Sequence, residues 1–128
     1  MLKILCVYLT LCSTVSGEAT IIDGDTIIVE GIHVRLHGLD AEEMNEPNGP
    51  KAKHALQSIT EGNNVTCRLT GEKSYSRYVG SCYLDGDDLA AEMVTHGFAL
   101  DCAHYSKGRY RKLEPETIRA FLKQKPYC

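Results

Sequence analysis

Between Ile21 and Glu43 the chain reads IIDGDTIIVEGIHVRLHGLDAEE, and within it Ile32, Val34 and Leu36 alternate with His33, Arg35 and His37. A period of two commits a segment to a strand with one buried face, because successive side chains point to opposite sides of a sheet. The pattern from Ala19 to Asp40 predicts three strands, with a tight hairpin turn at Val29–Ile32 in which Gly31 is free to take positive φ. Charge makes the stretch unusual. Asp23, Asp25, Asp40, Glu42 and Glu43 gather at its ends, with Arg35 between them. Like charges crowded together destabilise a compact state, so something positive has to sit among them.

The rest of the chain supplies what is needed to close such a sheet. Pro50 suits a first helical position; Ala52, Ala55, Leu56 and Ile59 then form an apolar stripe that ends at Gly62. Val65–Leu69 and Val79–Leu84 predict a second hairpin around GEKSYS, a pairing that puts Cys67 opposite Cys82 and Val65 opposite Leu84. Asp88 is an N-cap for a second helix that buries Leu89, Ala90, Met93 and Val94 and closes at Gly97. A third helix is expected from Pro115, burying Ile118, Phe121 and Leu122 and ending before Pro126. Strands, helix, hairpin, helix, helix make an α+β, mostly β domain: a five-stranded OB-type antiparallel barrel with about three packed helices. At 128 residues there is room for one domain only.

The first 17 residues read differently. Lys3 is a short positive start, Ile4–Leu11 an almost unbroken apolar run, and Val15-Ser16-Gly17 a set of small residues suited to a signal peptidase. The run is too short to span a bilayer. Residues 1–17 are therefore expected to be a signal peptide and 18–128 the mature domain, secreted or periplasmic. Cys6 and Cys12 leave with such a leader, so Cys67, Cys82, Cys102 and Cys128 remain as an even set without zinc-finger spacing, fit for disulfides. Strand register pairs Cys67 with Cys82, which leaves Cys102 for Cys128.

The acids point to chemistry as well as structure. Asp25 and Asp40 are hard oxygen ligands that, with a backbone carbonyl and waters, suit Ca²⁺ or Mg²⁺. His33 and His37 share a strand face but lie about 13 Å apart along it, too far to grip one zinc. A guanidinium such as Arg35 beside a carboxylate-bound cation is a way to hold a phosphate diester, with fork-like donors for its oxygens.

Through DGDT and RLHGLDAEE, followed by GPKAKHAL, YSRYVG, LDGDDLAAEMVTHGFAL and YSKGRY in that order, the chain resembles the thermonuclease, or staphylococcal nuclease-like, family from about Ala19 to Phe121. The resemblance implies an OB barrel and Ca²⁺-dependent hydrolysis of phosphodiesters in DNA and RNA. It implies Asp25 and Asp40 as metal carboxylates, the Ala41 carbonyl as a third ligand, and Arg35 and Arg77 on the phosphate. Glu43 would be the general base and Tyr75 the tyrosine that packs on a nucleotide. Three positions depart from the family. Glu42 stands where a proline is usual and offers a rival carboxylate. Ser76 stands at a glycine site, and Ser74 replaces a basic residue.

A net charge of −3 gives no global field toward nucleic acid. The segment from Lys107 to Lys125 is the exception, with seven cations against Glu114 and Glu116. Lys107 and Arg109, together with Arg111, lie beside Tyr105 and Tyr110 and predict stacking plus phosphate contact, whereas Lys123 and Lys125 read as the solvated end of a helix. The sequence thus predicts a secreted, monomeric, Ca²⁺-dependent nuclease acting on DNA and RNA, preferring single-stranded or frayed substrate. The alternative is a non-catalytic nucleic-acid-binding barrel of the same fold.

Overall fold

The computed structural model describes residues 13–128. The apolar run and cysteines of the expected leader, residues 1–12, lie outside the described residues. Strand β1 (Thr14–Asp23) pairs with β2 (Thr26–Val29), and β2 with β3 (Ile32–Leu36), all antiparallel. The hairpin between β2 and β3 turns on Glu30 and Gly31, both at positive φ, with Val29 opposite Ile32. Strand β5 (Asn64–Ser74) pairs with β1 on one side and with β6 (Arg77–Leu84) on the other. The barrel closes where β6 returns to β3, Val34 opposite Tyr78 and Leu36 opposite Gly80, and this closing pair is parallel. Five strands therefore form a mixed barrel; the expected all-antiparallel sheet fails only at that seam. Short β7 (Asp87–Asp88) extends β6, while β4 (Leu39–Asp40) pairs with β8 (Leu100–Asp101) as a separate two-stranded ribbon.

Strand β1 starts earlier than the pattern predicts. Thr14–Glu18 pairs with β5, and Val15 is buried opposite Cys67. The expected boundary at Gly17 thus falls inside a strand. Both disulfides are as expected: Cys67–Cys82 across β5 and β6, and Cys102–Cys128 joining the end of β8 to the C-terminus. The segment expected as the loop GEKSYS is mostly strand, carried through an irregularity between Leu69 and Lys73 to a tight turn at Tyr75 and Ser76.

Helix α1 (Gly49–Thr60) buries Ala52, Ala55 and Leu56 against the barrel, as its stripe requires. Helix α2 (Leu89–Thr95) is capped by Asp88, whose carboxylate accepts the Ala90 and Ala91 N–H groups, and it buries Leu89, Ala90, Met93 and Val94. The third helix is not where the sequence predicts it. Pro115–Pro126 forms only a 3₁₀ turn (Ile118–Ala120) entered through Thr117 in a left-handed conformation, and Phe121 is 72% exposed. The short α3 (Ala103–Ser106) and another 3₁₀ turn (Arg111–Leu113) precede it. An isolated helix of that length is marginal in water. Here Arg119 instead bridges Glu114, Gln124 and the Asp101 carbonyl, which fixes the segment by side-chain bonds. Among the described residues no helix is long and apolar enough to cross a membrane.

Candidate active site

Asp25 follows the β1–β2 turn, where its N–H bonds the Asp23 carboxylate (3.1 Å). Gly24 lets this turn lie flat on the domain: a Cβ there would stand 2.6 Å from the Ala52 Cβ and 2.7 Å from the Ala41 Cβ. The DGD sequence therefore does more than turn the chain, because its glycine lets the turn that carries Asp25 pack on Ala41 and Ala52. The Asp25 carboxylate is buried; it accepts from the Thr26 hydroxyl (3.1 Å) and lies 3.5 Å from the Arg35 guanidinium. Burial above all, with Asp23 adding to it, pushes its pKa up to about 6 against the pull of Arg35.

Arg35 projects from β3 opposite Thr26 and is held by the carbonyls of Leu36 and Leu39. Arg77 opens β6. It donates to the Thr26 hydroxyl (3.0 Å), the Ser74 hydroxyl (3.0 Å) and the Ser74 carbonyl (3.3 Å). Ser74, in place of a basic residue, thus serves to position Arg77. The positive φ of this turn falls on Tyr75 (59°) and not on Ser76, so the serine sits at the expected glycine site without left-handed strain. Thr26 touches the Asp25 and Arg77 side chains at once, which ties the two halves of the site together.

Asp40, on β4, is buried, and both its oxygens are taken by one residue. The Lys125 N–H bonds Oδ2 (2.8 Å) and the Lys125 ammonium bonds Oδ1 (2.9 Å). The same ammonium bonds the Ala41 carbonyl (2.7 Å) and lies 3.2 Å from Glu43 Oε2. Burial opposes its charge, but Asp40 and then Glu43 outweigh it and hold Lys125 above the ordinary lysine range. Lys125 is only 17% exposed at its side chain, which corrects its reading as a solvated helix end. No local pattern marks it, since it reaches Asp40 across 85 positions of sequence.

Glu42 and Glu43 face different ways. Glu42 is buried and accepts from the Asn48 N–H, the Asn48 amide and the Lys123 N–H (3.0, 2.9 and 2.9 Å). Burial works against its charge, yet these bonds hold its carboxyl below the usual range. Glu43 is 51% exposed and open to solvent except for Lys125. The rival carboxylate is thus committed to structure, and Glu43 alone of the two faces the site.

Beside these groups runs an open groove of about 440 Å³, lined by Arg35, Arg77, Lys73, Tyr75, Tyr105 and Tyr127 among others. Tyr75 is 94% exposed. Tyr105 and Tyr127 meet edge to face at 6.3 Å, and the Cys102–Cys128 bridge fixes the second beside the first. Sequence reasoning missed Tyr127, whose only signal was its place next to a cysteine. Lys107 and Arg109 do not line the groove; Lys107 turns back onto the His104 carbonyl and Arg109 lies over Tyr110. Tyr110 is a core residue bonded to Asp88, not a stacking platform.

The family model for staphylococcal nuclease homologues matches residues 33–125, well over half of the chain. The chain belongs to the staphylococcal nuclease family. Among curated proteins it is 33% identical to the succinoglycan biosynthesis protein ExoI of Rhizobium meliloti over 73% of this chain and 56% of that protein. It is 31% identical to a probable staphylococcal-like nuclease, CAN1, of Oryza sativa over 66% of this chain and 25% of that one. An uncharacterized endonuclease of Haemophilus influenzae is 29% identical over 77% of this chain and 60% of its own length. The chain thus spans between a quarter and three-fifths of these relatives. The matched segment contains Arg35, Asp40 and Arg77, and Asp25 lies just before it. Among the described residues no three His, Cys, Asp or Glu side chains converge. The oxygens of Asp40 and Ala41 nonetheless already gather around the positive charge of Lys125. A hard, all-oxygen donor set that accepts an ammonium also suits a hard metal cation, so Asp40 and the Ala41 carbonyl fit the metal that the family implies.

Proposed function

We propose that the protein is a Ca²⁺-dependent nuclease that hydrolyses phosphodiester bonds of DNA and RNA with little base selectivity. The observation that carries this reading is the convergence of Arg35, Arg77 and Asp25 through Thr26 at the edge of a groove walled by exposed tyrosines. Arg35 and Arg77 present forked donors to the phosphate, and charge stabilisation of this kind is worth most where protein dipoles already hold the donors. Leu36, Leu39 and Ser74 hold them here. Glu43 takes the proton from the attacking water. Asp25, Asp40 and the Ala41 carbonyl would hold Ca²⁺, whose variable oxygen coordination suits two carboxylates, a carbonyl and waters. A bound Ca²⁺ supplies positive charge against the scissile phosphate. Tyr75, Tyr105 and Tyr127 pack on bases, which any base satisfies, and this favours single-stranded or frayed substrate. Lys107 and Arg109 contribute at most longer-range attraction.

The enzyme acts as an exported monomer, with residues 1–17 containing its leader; two disulfides fit an oxidising compartment. Incubating the oxidised protein with single-stranded DNA, duplex DNA and RNA, in Ca²⁺ or in EDTA, tests the reading. Cleavage in Ca²⁺, lost in EDTA, is expected. Binding without cleavage under every condition would make the domain a non-catalytic nucleic-acid-binding barrel.

A further inference from the structure

Lys125 sits where a cation belongs. Its ammonium touches Asp40 Oδ1, the Ala41 carbonyl and Glu43 Oε2, two proposed cation ligands and the proposed base. We propose that Lys125 is an internal competitor for the cation site, holding the enzyme closed until a divalent cation displaces its ammonium. The inference rests on the Ca²⁺-dependent reading of the site and goes beyond it, since it assigns a residue outside the ligand set to control of loading.

The surrounding structure makes the device workable. Cys102 follows β8, which pairs with β4 so that Leu100 stands opposite Asp40. The Cys102–Cys128 bridge, the Lys123 N–H on Glu42 and the His104 N–H on the Cys128 carbonyl then pin the C-terminal segment over Asp40. The Lys125 N–H keeps Asp40 Oδ2 independently of the ammonium on Oδ1. The ammonium can therefore swing out on its flexible stem while the backbone stays in place. A divalent ion brings twice the charge to the same oxygens, so it wins once its concentration is sufficient. Glu43 is released in the same event. With the ammonium in place Glu43 is ion-paired and Asp40 Oδ1 and the Ala41 carbonyl are filled; without it all three are free. Cation loading and base activation become one step.

Two measurements on the full, oxidised chain test this. The first reads wild-type protein directly: acetylation of lysines by an amine-reactive reagent, quantified residue by residue by mass spectrometry. In EDTA Lys125 should label slowly, and saturating Ca²⁺ should speed its labelling about tenfold while exposed Lys51 stays unchanged. Labelling of Lys125 that ignores Ca²⁺ overturns the proposal, and this holds even if variants of the segment fold poorly. The second is calorimetric titration of Ca²⁺ into wild type and Lys125→Met, which removes the charge and keeps the stem. The variant should bind about ten- to a hundredfold more tightly, the scale of one charge-assisted hydrogen bond. Equal or weaker affinity, or no Ca²⁺ binding by either chain, overturns the competitor role. Nuclease activity undiminished by EDTA would instead overturn the metal-dependent reading itself, so the two failures are distinguishable.

Discussion

Replacing Glu42 by glutamine separates a structural carboxylate from the proposed general base, Glu43. Glu42 Oε1 accepts the Asn48 N–H, and Oε2 accepts the Asn48 amide and the Lys123 N–H. A glutamine can keep its carbonyl oxygen at only one of these positions. If it stays on the Asn48 amide and Lys123, its own NH₂ faces the Asn48 N–H, donor against donor at the start of α1. One charge-assisted bond is lost, the others weaken, and a buried donor is left unpaired. The lost charge-assisted bond contributes about 1.5–3 kcal/mol and the unpaired donor about 1–3 kcal/mol; both count the same Asn48 N–H and so overlap, which puts the net loss at about 2–4 kcal/mol. That is a large part of the 5–15 kcal/mol typical of a domain, yet the chain should still fold. For this size of domain it corresponds to a fall in Tm of roughly 8–16 °C. Thermal denaturation followed by circular dichroism, in EDTA so that no ion contributes, measures it. At temperatures well below the new Tm, kcat should stay within a few-fold of wild type. An unchanged Tm together with a hundredfold loss of kcat would refute the reasoning and make Glu42, not Glu43, the base.

Glu43→Gln should lower kcat by about 10²–10⁴-fold with KM little changed, because the amide matches the shape but cannot take the proton; steady-state kinetics on single-stranded DNA measures this. Gly24→Ala should cost about 1–3 kcal/mol, since its Cβ meets the Ala52 and Ala41 side chains and pushes the Asp25 turn off the domain. Denaturant unfolding gives that value, and an unchanged midpoint would mean the turn is looser than its contacts imply. Removing the Cys67–Cys82 bridge by a Cys67→Ala/Cys82→Ala double replacement should cost about 3 kcal/mol, the figure for a closed loop of its 15-residue separation. A loss under about 1 kcal/mol would show that β5 and β6 are held by their ladder alone.

The family, the barrel and the side chains that make up the candidate site were legible because their signals are local. The β3 alternation, the Glu30-Gly31 turn, the α1 stripe and the Asp88 cap each fix structure over a few residues, and the structure carries all of them. The Cys67–Cys82 pair was legible for the same reason: a hairpin's register follows from its two arms. Reasoning from pattern failed where no local signal decides. The segment after Pro115 has helical spacing but too little length to hold a helix, and Arg119 settles it through long-range bonds to Asp101. Tyr110 looked like a surface aromatic until its hydroxyl met Asp88, 22 positions away.

What the sequence determined by itself is the set of chemical groups: the acids, the two arginines, the tyrosines and an even number of cysteines in a barrel-forming chain. Tertiary structure decided which of them face one another. It buried Glu42 and left Glu43 at the site, although the two are adjacent and chemically alike. It also carried Lys125 across 85 positions to Asp40, turning an apparent surface lysine into the cation of the site. The reason is physical. Periodicity and capping report interactions within a turn or a hairpin, whereas the environment of a charge is set by whatever the closed chain packs against it, and here a disulfide at the far end of the chain makes that choice.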